Sequence, residues 1–300
     1  MAVSELAYVI LKVQNPTEWS KFAQDILGFK AVPRDDESGT VYLKMDDAPF
    51  RYMVEPADED KFFAPGYLMA SQQDYEDQIT TLTNAGIEVK RGDSQEAKRR
   101  AVAEFASFDD PSGNHVEICH SRDGGAAFEP GAGVSGFVTN DMGLGHLVVP
   151  APENEATEKF YTELMGFGIS DDLTLPPPAE NLPDQRILFL HANNPRHHTL
   201  GLYNFPHPIN LIHLMVEMKT MDDVGYCMDR VKQAGLHIFA SLGRHSNDEM
   251  VSFYFFAPGG FGIEVGFDGL TIEDWSKFTP TKSTSGDYWG HEYDFPQIGD

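Results

Sequence analysis

Apolar positions recur along the chain with two periods. Near the N-terminus, LAYVILKV is a β-forming run, and NPTEWSKFAQDILGFK then opens on an Asn cap and spaces Trp19, Phe22, Ile26 and Leu27 as one face of a helix. Short β-like runs follow in TVYLKM and FRYMVEP. A second unit starts at GYLMAS, passes through the helical DYEDQITTLTNAG and ends in VAEFASFDDPSGNHVEICH. Each unit reads as a strand, a helix and then several strands.

The same grammar restarts at LGHLVVPAPENEATEKFYTELMGFG, where Met165 to Phe167 answer Leu27 to Phe29 with an offset of 167 − 29 = 138. LIHLMVEM, MDDVGYCMDRVKQAG and APGGFGIEVG then answer GYLMAS, DYEDQITTLTNAG and DPSGNHVEI. An internal duplication of this kind predicts an α+β chain of two domains, each built from two βαβββ modules. The boundary falls in the glycine-rich residues 129–141. We assign 1–135 to the first domain, 136–280 to the second and 281–300 to a C-terminal tail.

Residues 244–266, RHSNDEMVSFYFFAPGGFGIEVG, concentrate the polar signal of the second half. Pro258-Gly259-Gly260 marks a turn between two β-rich runs, and Glu264 falls between Ile263 and Val265 in the second of them. An unpaired carboxylate in an apolar strand is costly, so Glu264 either faces solvent or binds a cation or strong donors.

Matching the halves exposes a difference. His146 takes the place of Tyr8, His213 that of Tyr67, and Glu264 that of Glu117. The spacings are 213 − 146 = 67 and 264 − 213 = 51, against 67 − 8 = 59 and 117 − 67 = 50. Two imidazoles and a carboxylate in one copy, with Tyr, Tyr and Glu in the other, predict one metal site and one silent site. A facial pair of His with one carboxylate leaves positions open and suits Fe(II) that binds substrate and O₂ together. Mn(II) accepts similar ligands, and an open Zn(II) site is also compatible with the residues.

Composition narrows the partners. Lys plus Arg number 22 and Asp plus Glu 47, so the net charge is −25, which disfavours nucleic acid and anionic membranes. The cluster Lys98-Arg99-Arg100 reads as a solvated helical face. Cys119 and Cys227 are too few for a disulfide framework and read as buried thiols. The N-terminus shows no basic region ahead of a long apolar stretch, and no apolar run reaches spanning length, which points to a cytoplasmic protein.

The motifs GLGHLVV, NPRHHTLGL, LIHLMVE, LGRHSNDEMVSFYFFAPGGFGIEVGFDG and the late WGH carry a resemblance over nearly the whole chain. With them the sequence resembles the type I extradiol ring-cleavage dioxygenases of the vicinal oxygen chelate superfamily, within it the branch of the 2,3-dihydroxybiphenyl 1,2-dioxygenase kind. NPRHHTL and PGGFGIE are similar to the branch that cleaves seco-steroid catechols. The resemblance implies the vicinal oxygen chelate fold with barrel-like sheets, Fe(II) as cofactor with Mn(II) the lesser alternative, and O₂ as co-substrate. It implies extradiol opening of a bicyclic or polycyclic catechol to a hydroxy-dienoate in bacterial aromatic or steroid degradation, and a homo-oligomer based on dimers, commonly an octamer.

By the same resemblance His146, His213 and Glu264 match the iron ligands, and His198 matches the acid-base residue. His245 and Tyr254 match groups that touch the substrate hydroxyls, while Asn247 and Asp248 complete the HxND pattern, Asp248 behind the contacts. Histidine titrates in the range such proton transfer needs. Strand alternation puts Tyr254, Phe256 and Ser252 on one side. Phe189, Phe205 and the methionines near Met215 read mainly as core, with Phe189 a substrate contact.

The remaining histidines read as structural. His197 takes the face opposite His198, at the surface or behind the site. His207 belongs to a loop and His191 to a strand end. His115 lacks partners, and His291 sits in a tail able to cover the pocket mouth. Two other functions fit the fold. A glyoxalase-like isomerase or epimerase would draw ligands from both halves of a module pair, and a non-catalytic aromatic-binding protein would have no need of His146, His213 and Glu264 together.

Overall fold

The computed structural model describes residues 3–34 and 38–295. Among these residues the chain forms two curved, mixed sheets, one of eight strands and one of ten. The spatial order of the first is Lys30–Val32, Val41–Lys44, Tyr52–Pro56, Val3–Val13, Lys61–Met69, His115–Arg122, Val102–Asp109 and Lys90–Arg91. The second repeats that order with Gly168–Leu175, Gln185–His191, Leu200–Tyr203, Leu147–Pro150, His213–Glu217, Gly262–Phe267, Val251–Phe256 and Ile238–His245. Thr281–Ser283 and Asp287–Trp289, from the segment assigned to a tail, join this second sheet as its two edge strands.

Local chemistry explains the elements. Asn15 caps the helix Pro16–Phe22 by accepting from the Glu18 amide, and Ser71 and Thr220 cap Gln72–Asn84 and Met221–Gln233 in the same way. Both first-module helices run on into a wider π-helical turn, Ala23–Leu27 and Phe160–Leu164, so the duplication extends to this irregularity. In the hairpin Tyr254 pairs with Glu264 and Phe256 with Gly262, while Gly259 and Gly260 adopt φ of 80° and 78° at the turn.

All the α-helices but Ser94–Arg100 cover the convex faces and fuse the two halves into one core. Each first-module helical segment packs on the other half: Trp19 meets Phe261 edge-on at 5.8 Å, and Phe160 lies 5.9 Å from Phe108. Burying aromatic side chains of this size contributes roughly 1.5–3 kcal/mol each. Cys119 and Cys227 are buried free thiols.

The concave faces differ. In the first sheet the concavity is filled by Tyr8, Tyr42, Phe50 and Phe105 together with Ala97 and Ala101 at the helix Ser94–Arg100. The expectation of a solvated basic run fails at Arg100, which is buried. Its Nε and Nη2 donate to the two Glu117 oxygens at 2.6 Å each, and Tyr8 donates to the same carboxylate at 2.7 Å. The helical pattern shows a polar turn, but the partner of Arg100 lies on a strand across the concavity.

Register also corrects one equivalence. Met215 pairs with Glu264 and Leu214 with Leu147, whereas Gly66 pairs with Glu117 and Pro65 with Val9. Met215 therefore corresponds to Gly66 and His146 to Tyr8, as expected, but His213 corresponds to Ala64 and not to Tyr67. Tyr67 faces the opposite side of the sheet, with its ring 5.3 Å from Phe167. Spacing to the glutamate favours Tyr67, since 117 − 67 = 50 is nearer 264 − 213 = 51 than 117 − 64 = 53, but register decides for Ala64.

Removing the cation from this buried pair tests its weight. Arg100→Met is expected to lower stability in urea unfolding by about 3–5 kcal/mol, because Glu117 is left buried and unmatched, and the double variant Arg100→Met/Glu117→Gln recovers part of the loss.

Candidate active site

Three neighbouring strands bring the candidate ligands together. His146 immediately precedes Leu147–Pro150, His213 opens the antiparallel neighbour and pairs with Val148, and Glu264 lies on the parallel strand beyond. Gly145 permits the close approach, since a Cβ there would stand 2.1 Å from the Met215 carbonyl oxygen. The result is a compact triangle. His146 Nε2 is 3.1 Å from Glu264 Oε2, His213 Nε2 is 3.3 Å from the same oxygen, and the two nitrogens are 3.2 Å apart.

These separations suit a metal. Donors bound at about 2.1 Å lie roughly 3.0 Å apart at right angles and roughly 3.4 Å apart in a tetrahedron, and the three edges fall between those limits. His146 and Glu264 are buried and His213 is partly buried. Burial pushes the His146 pKa down to about 4, against the pull of Glu264, so the imidazole is neutral and its lone pair available. Burial opposes the charge of Glu264, yet its bonds with His146, His213 and His245 hold its pKa well below the usual carboxylate range.

A cavity of about 790 Å³ opens from this triangle. Its wall includes Leu173, Leu175, Ile187, Phe189, Phe239 and Phe256, a lining matched to an apolar or aromatic body. The polar groups gather near the triangle. His245 Nε2 lies 3.2 Å from Glu264 Oε1 and 2.6 Å from Tyr254 Oη, and Ser252 Oγ is 3.3 Å from the same nitrogen. Burial and then the Glu264 charge push the Tyr254 pKa well above the ordinary phenol value, so it stays a donor.

His198 completes the wall. Its ring centre is 4.0 Å from that of His146 and 4.6 Å from that of Phe189. Its Nε2 is buried and has no hydrogen-bond partner among the described residues. Burial, with His146 and His197 close by, pushes its pKa well below the ordinary histidine value, so the ring is neutral. Asn247 and Asp248 also line the cavity, and Asp248 Oδ2 stands 3.9 Å from His198 Nδ1.

Of the other histidines, His191 ends a strand and His197 lies behind the site, both within expectation, while the surroundings of His207 and His115 differ from it. His197 is buried, with Nδ1 3.1 Å from His198 Nδ1, because this stretch is not an extended strand whose faces alternate. His207 is in a loop, as expected, but forms part of the cavity wall. His191 stacks on Trp275 at 3.3 Å, and His115 pairs with Asp109. Asp287 escaped the sequence reading altogether; its Oδ1 accepts from His245 Nδ1 at 2.9 Å. The one local signal was its spacing of four residues before His291. The candidate ligands come from both modules of the second half, His146 from one and His213 and Glu264 from the other, as they would in a glyoxalase-like site; the surrounding His198, His245 and Tyr254 are groups such an isomerase has no evident need for.

Comparison with known proteins shows the family of the chain. Residues 143–265 match the Glyoxalase/Bleomycin resistance protein/Dioxygenase superfamily, and residues 6–57 match Dihydroxybiphenyl dioxygenase BphC D1. The chain is 36% identical to an iron-dependent extradiol dioxygenase of Rhodococcus jostii (strain RHA1), over 98% of each chain. It is also 36% identical to biphenyl-2,3-diol 1,2-dioxygenase of Paraburkholderia xenovorans (strain LB400), over 97% of this chain and 96% of that one. The crystal structure of 2,2',3-trihydroxybiphenyl 1,2-dioxygenase from Sphingomonas wittichii strain RW1 superposes with a TM-score of 0.84 at 30% identity, covering 98% of this chain and 100% of that chain. No described helix is long and apolar enough to cross a membrane.

The triangle yields a direct expectation. After anaerobic reconstitution with a divalent metal and desalting, His213→Ala retains no stoichiometric metal by elemental analysis, whereas His207→Ala retains the wild-type amount. Equal loading of the two variants contradicts the ligand assignment.

Proposed function

Because the chain belongs to the extradiol dioxygenases of the Glyoxalase/Bleomycin resistance protein/Dioxygenase superfamily, we propose that it opens the ring of a bicyclic or polycyclic catechol with Fe(II) and O₂. The observation that carries the reading is the donor triangle of His146, His213 and Glu264 at one end of a large, mainly apolar cavity. The donor set of two imidazoles and one carboxylate fits a divalent ion with open positions. The iron-dependent relative supports Fe(II) as that ion.

Fe(II) held by these three residues supplies Lewis acidity toward the catechol oxygens and electrons for O₂. The protein's own groups supply the rest. The apolar wall receives the aromatic body and excludes water, so polar interactions near the triangle act in a medium of low dielectric. With the diol at the triangle, His198 Nε2 is the base: it is neutral, free of any other described partner and beside His146. It takes a proton from a catechol hydroxyl and returns one as the product forms.

His245 and Tyr254 work as donors. Burial works against a charged His245, but its bonds with Asp287 and Glu264 outweigh that cost and hold its pKa well above the ordinary value. Its Nε2 and the Tyr254 hydroxyl face the same space and stabilise negative charge on oxygen at the reacting end of the substrate. Phe189 and Asn247 border the substrate, and Asp248 lies behind His198. Both atoms of O₂ enter the ring-opened hydroxy-dienoate.

The test is oxygen uptake by Fe(II)-reconstituted protein given catechol, 2,3-dihydroxybiphenyl or a seco-steroid catechol. Uptake with a coloured ring-opened product is expected, and the multi-ring substrates should outperform catechol because they fill the cavity. No uptake with any of the three would sink the proposal. For His198→Ala, kcat is expected to fall by about 10²-fold or more with metal content retained, and unchanged turnover removes its role as base.

A further inference from the structure

The C-terminal segment does more than border the cavity. Thr281–Ser283 runs parallel to Gly168–Leu175, with Thr281 beside Asp171, and Asp287–Trp289 runs antiparallel to Ile238–His245, with Asp287 beside His245. These strands occupy opposite edges of the ten-stranded sheet. Only Thr284, Ser285 and Gly286 separate them, and all three line the cavity. The chain thus crosses the seam between the two edges of the curved sheet.

The crossing is fastened at both ends. Thr281 and Ser283 donate to the buried Asp171 Oδ1 at 2.6 and 3.0 Å, and the Ser246 amide donates to the Gly286 carbonyl at 3.0 Å. It delivers Asp287, whose Oδ1 accepts from His245 Nδ1 at 2.9 Å and from His291 Nδ1 at 2.6 Å. His291 is buried and anchored in turn, its Nε2 donating to the Ser252 carbonyl at 3.0 Å.

A carboxylate on one ring nitrogen keeps a proton on that nitrogen and fixes the orientation of an imidazole. With Nδ1 committed to Asp287, His245 can present only Nε2 toward Tyr254 Oη and Glu264 Oε1. Asp287, His245 and His291 offer donor atoms close enough to hold an ion. Their direct bonds at 2.6 and 2.9 Å already occupy those atoms, so the cluster is a hydrogen-bonded support and not a second metal site.

We infer that Asp287, backed by His291, is the positioning residue for His245, and that residues 281–291 belong to the active site. The inference rests on the catechol-cleaving reading of that site. In that reading the crossing fixes the direction from which Nε2 meets the substrate oxygen.

The test compares wild type with Asp287→Asn, Asp287→Ala and His291→Phe. It measures steady-state cleavage of 2,3-dihydroxybiphenyl and the ¹⁵N spectrum of the His245 ring in metal-free protein, assigned with a His245→Gln variant. Asp287→Ala is expected to lose about 10–100-fold in kcat with KM and bound metal nearly unchanged, and the His245 Nδ1 resonance moves away from its hydrogen-bonded position. Asp287→Asn falls between, since its amide oxygen still accepts from Nδ1–H, and His291→Phe moves both readouts the same way by less. Wild-type kcat in Asp287→Ala overturns the inference, as does a lost kcat with an unchanged His245 spectrum or an equal loss of metal across all three variants. If wild type cleaves no catechol, the functional reading fails on its own and the ring spectra alone decide the positioning role.

Discussion

A carboxylate buried in an apolar strand must be met by positive charge or by several strong donors, and the second sheet is arranged around that demand at Glu264. Its side chain is almost fully buried, with three imidazoles within 3.3 Å of its oxygens. Two come from successive strands on one side, and the third comes from the end of Ile238–His245, beyond Val251–Phe256 on the other. A metal ion at the triangle meets the same demand more strongly, because a divalent charge acts at full strength in low dielectric. Strand order, the glycine at 145 and the late crossing of residues 281–291 all bear on which groups reach this carboxylate.

The first half answers the same demand with protein alone. Glu117 holds the equivalent register position, and a guanidinium stands where the other half offers a metal triangle. Arg100 arrives on Ser94–Arg100, a helix with no counterpart between Ile238–His245 and Val251–Phe256. That helix also fills the concavity with Ala97 and Ala101, so the cation and the plug come together. Without such a helix the second concavity stays open at about 790 Å³. A helix at this place in one half, and the longer strand Ile238–His245 in the other, thus accompany a solid half and a hollow half.

Much of this was legible in the order of residues, and what was not has a common cause. Strand and helix periods, the Pro258–Gly260 turn and the duplication are local or repetitive signals, and they led to the paired module architecture and to Glu264 and His146. The counterpart of His213 reads as Tyr67 because its spacing to the glutamate, 117 − 67 = 50, lies nearer 264 − 213 = 51 than does that of the register partner Ala64, 117 − 64 = 53. Arg100 looked solvated because its partner lies 17 residues away on a strand that no helical period reveals. Asp287 was invisible because it reaches His245 across 42 positions, through a crossing set by sheet edges. Pairings of that kind follow from tertiary closure, and propensity does not record them.

The claim at the centre is that Glu264 meets a metal where Glu117 meets Arg100, and counting metal per chain tests it most directly. Wild-type protein and Glu264→Ala are loaded with Fe(II) anaerobically, desalted, checked for folding by circular dichroism and assayed for iron. One ferrous ion per wild-type chain and none in folded Glu264→Ala is the predicted result. Two ions per wild-type chain, or full retention of iron by Glu264→Ala, would contradict it.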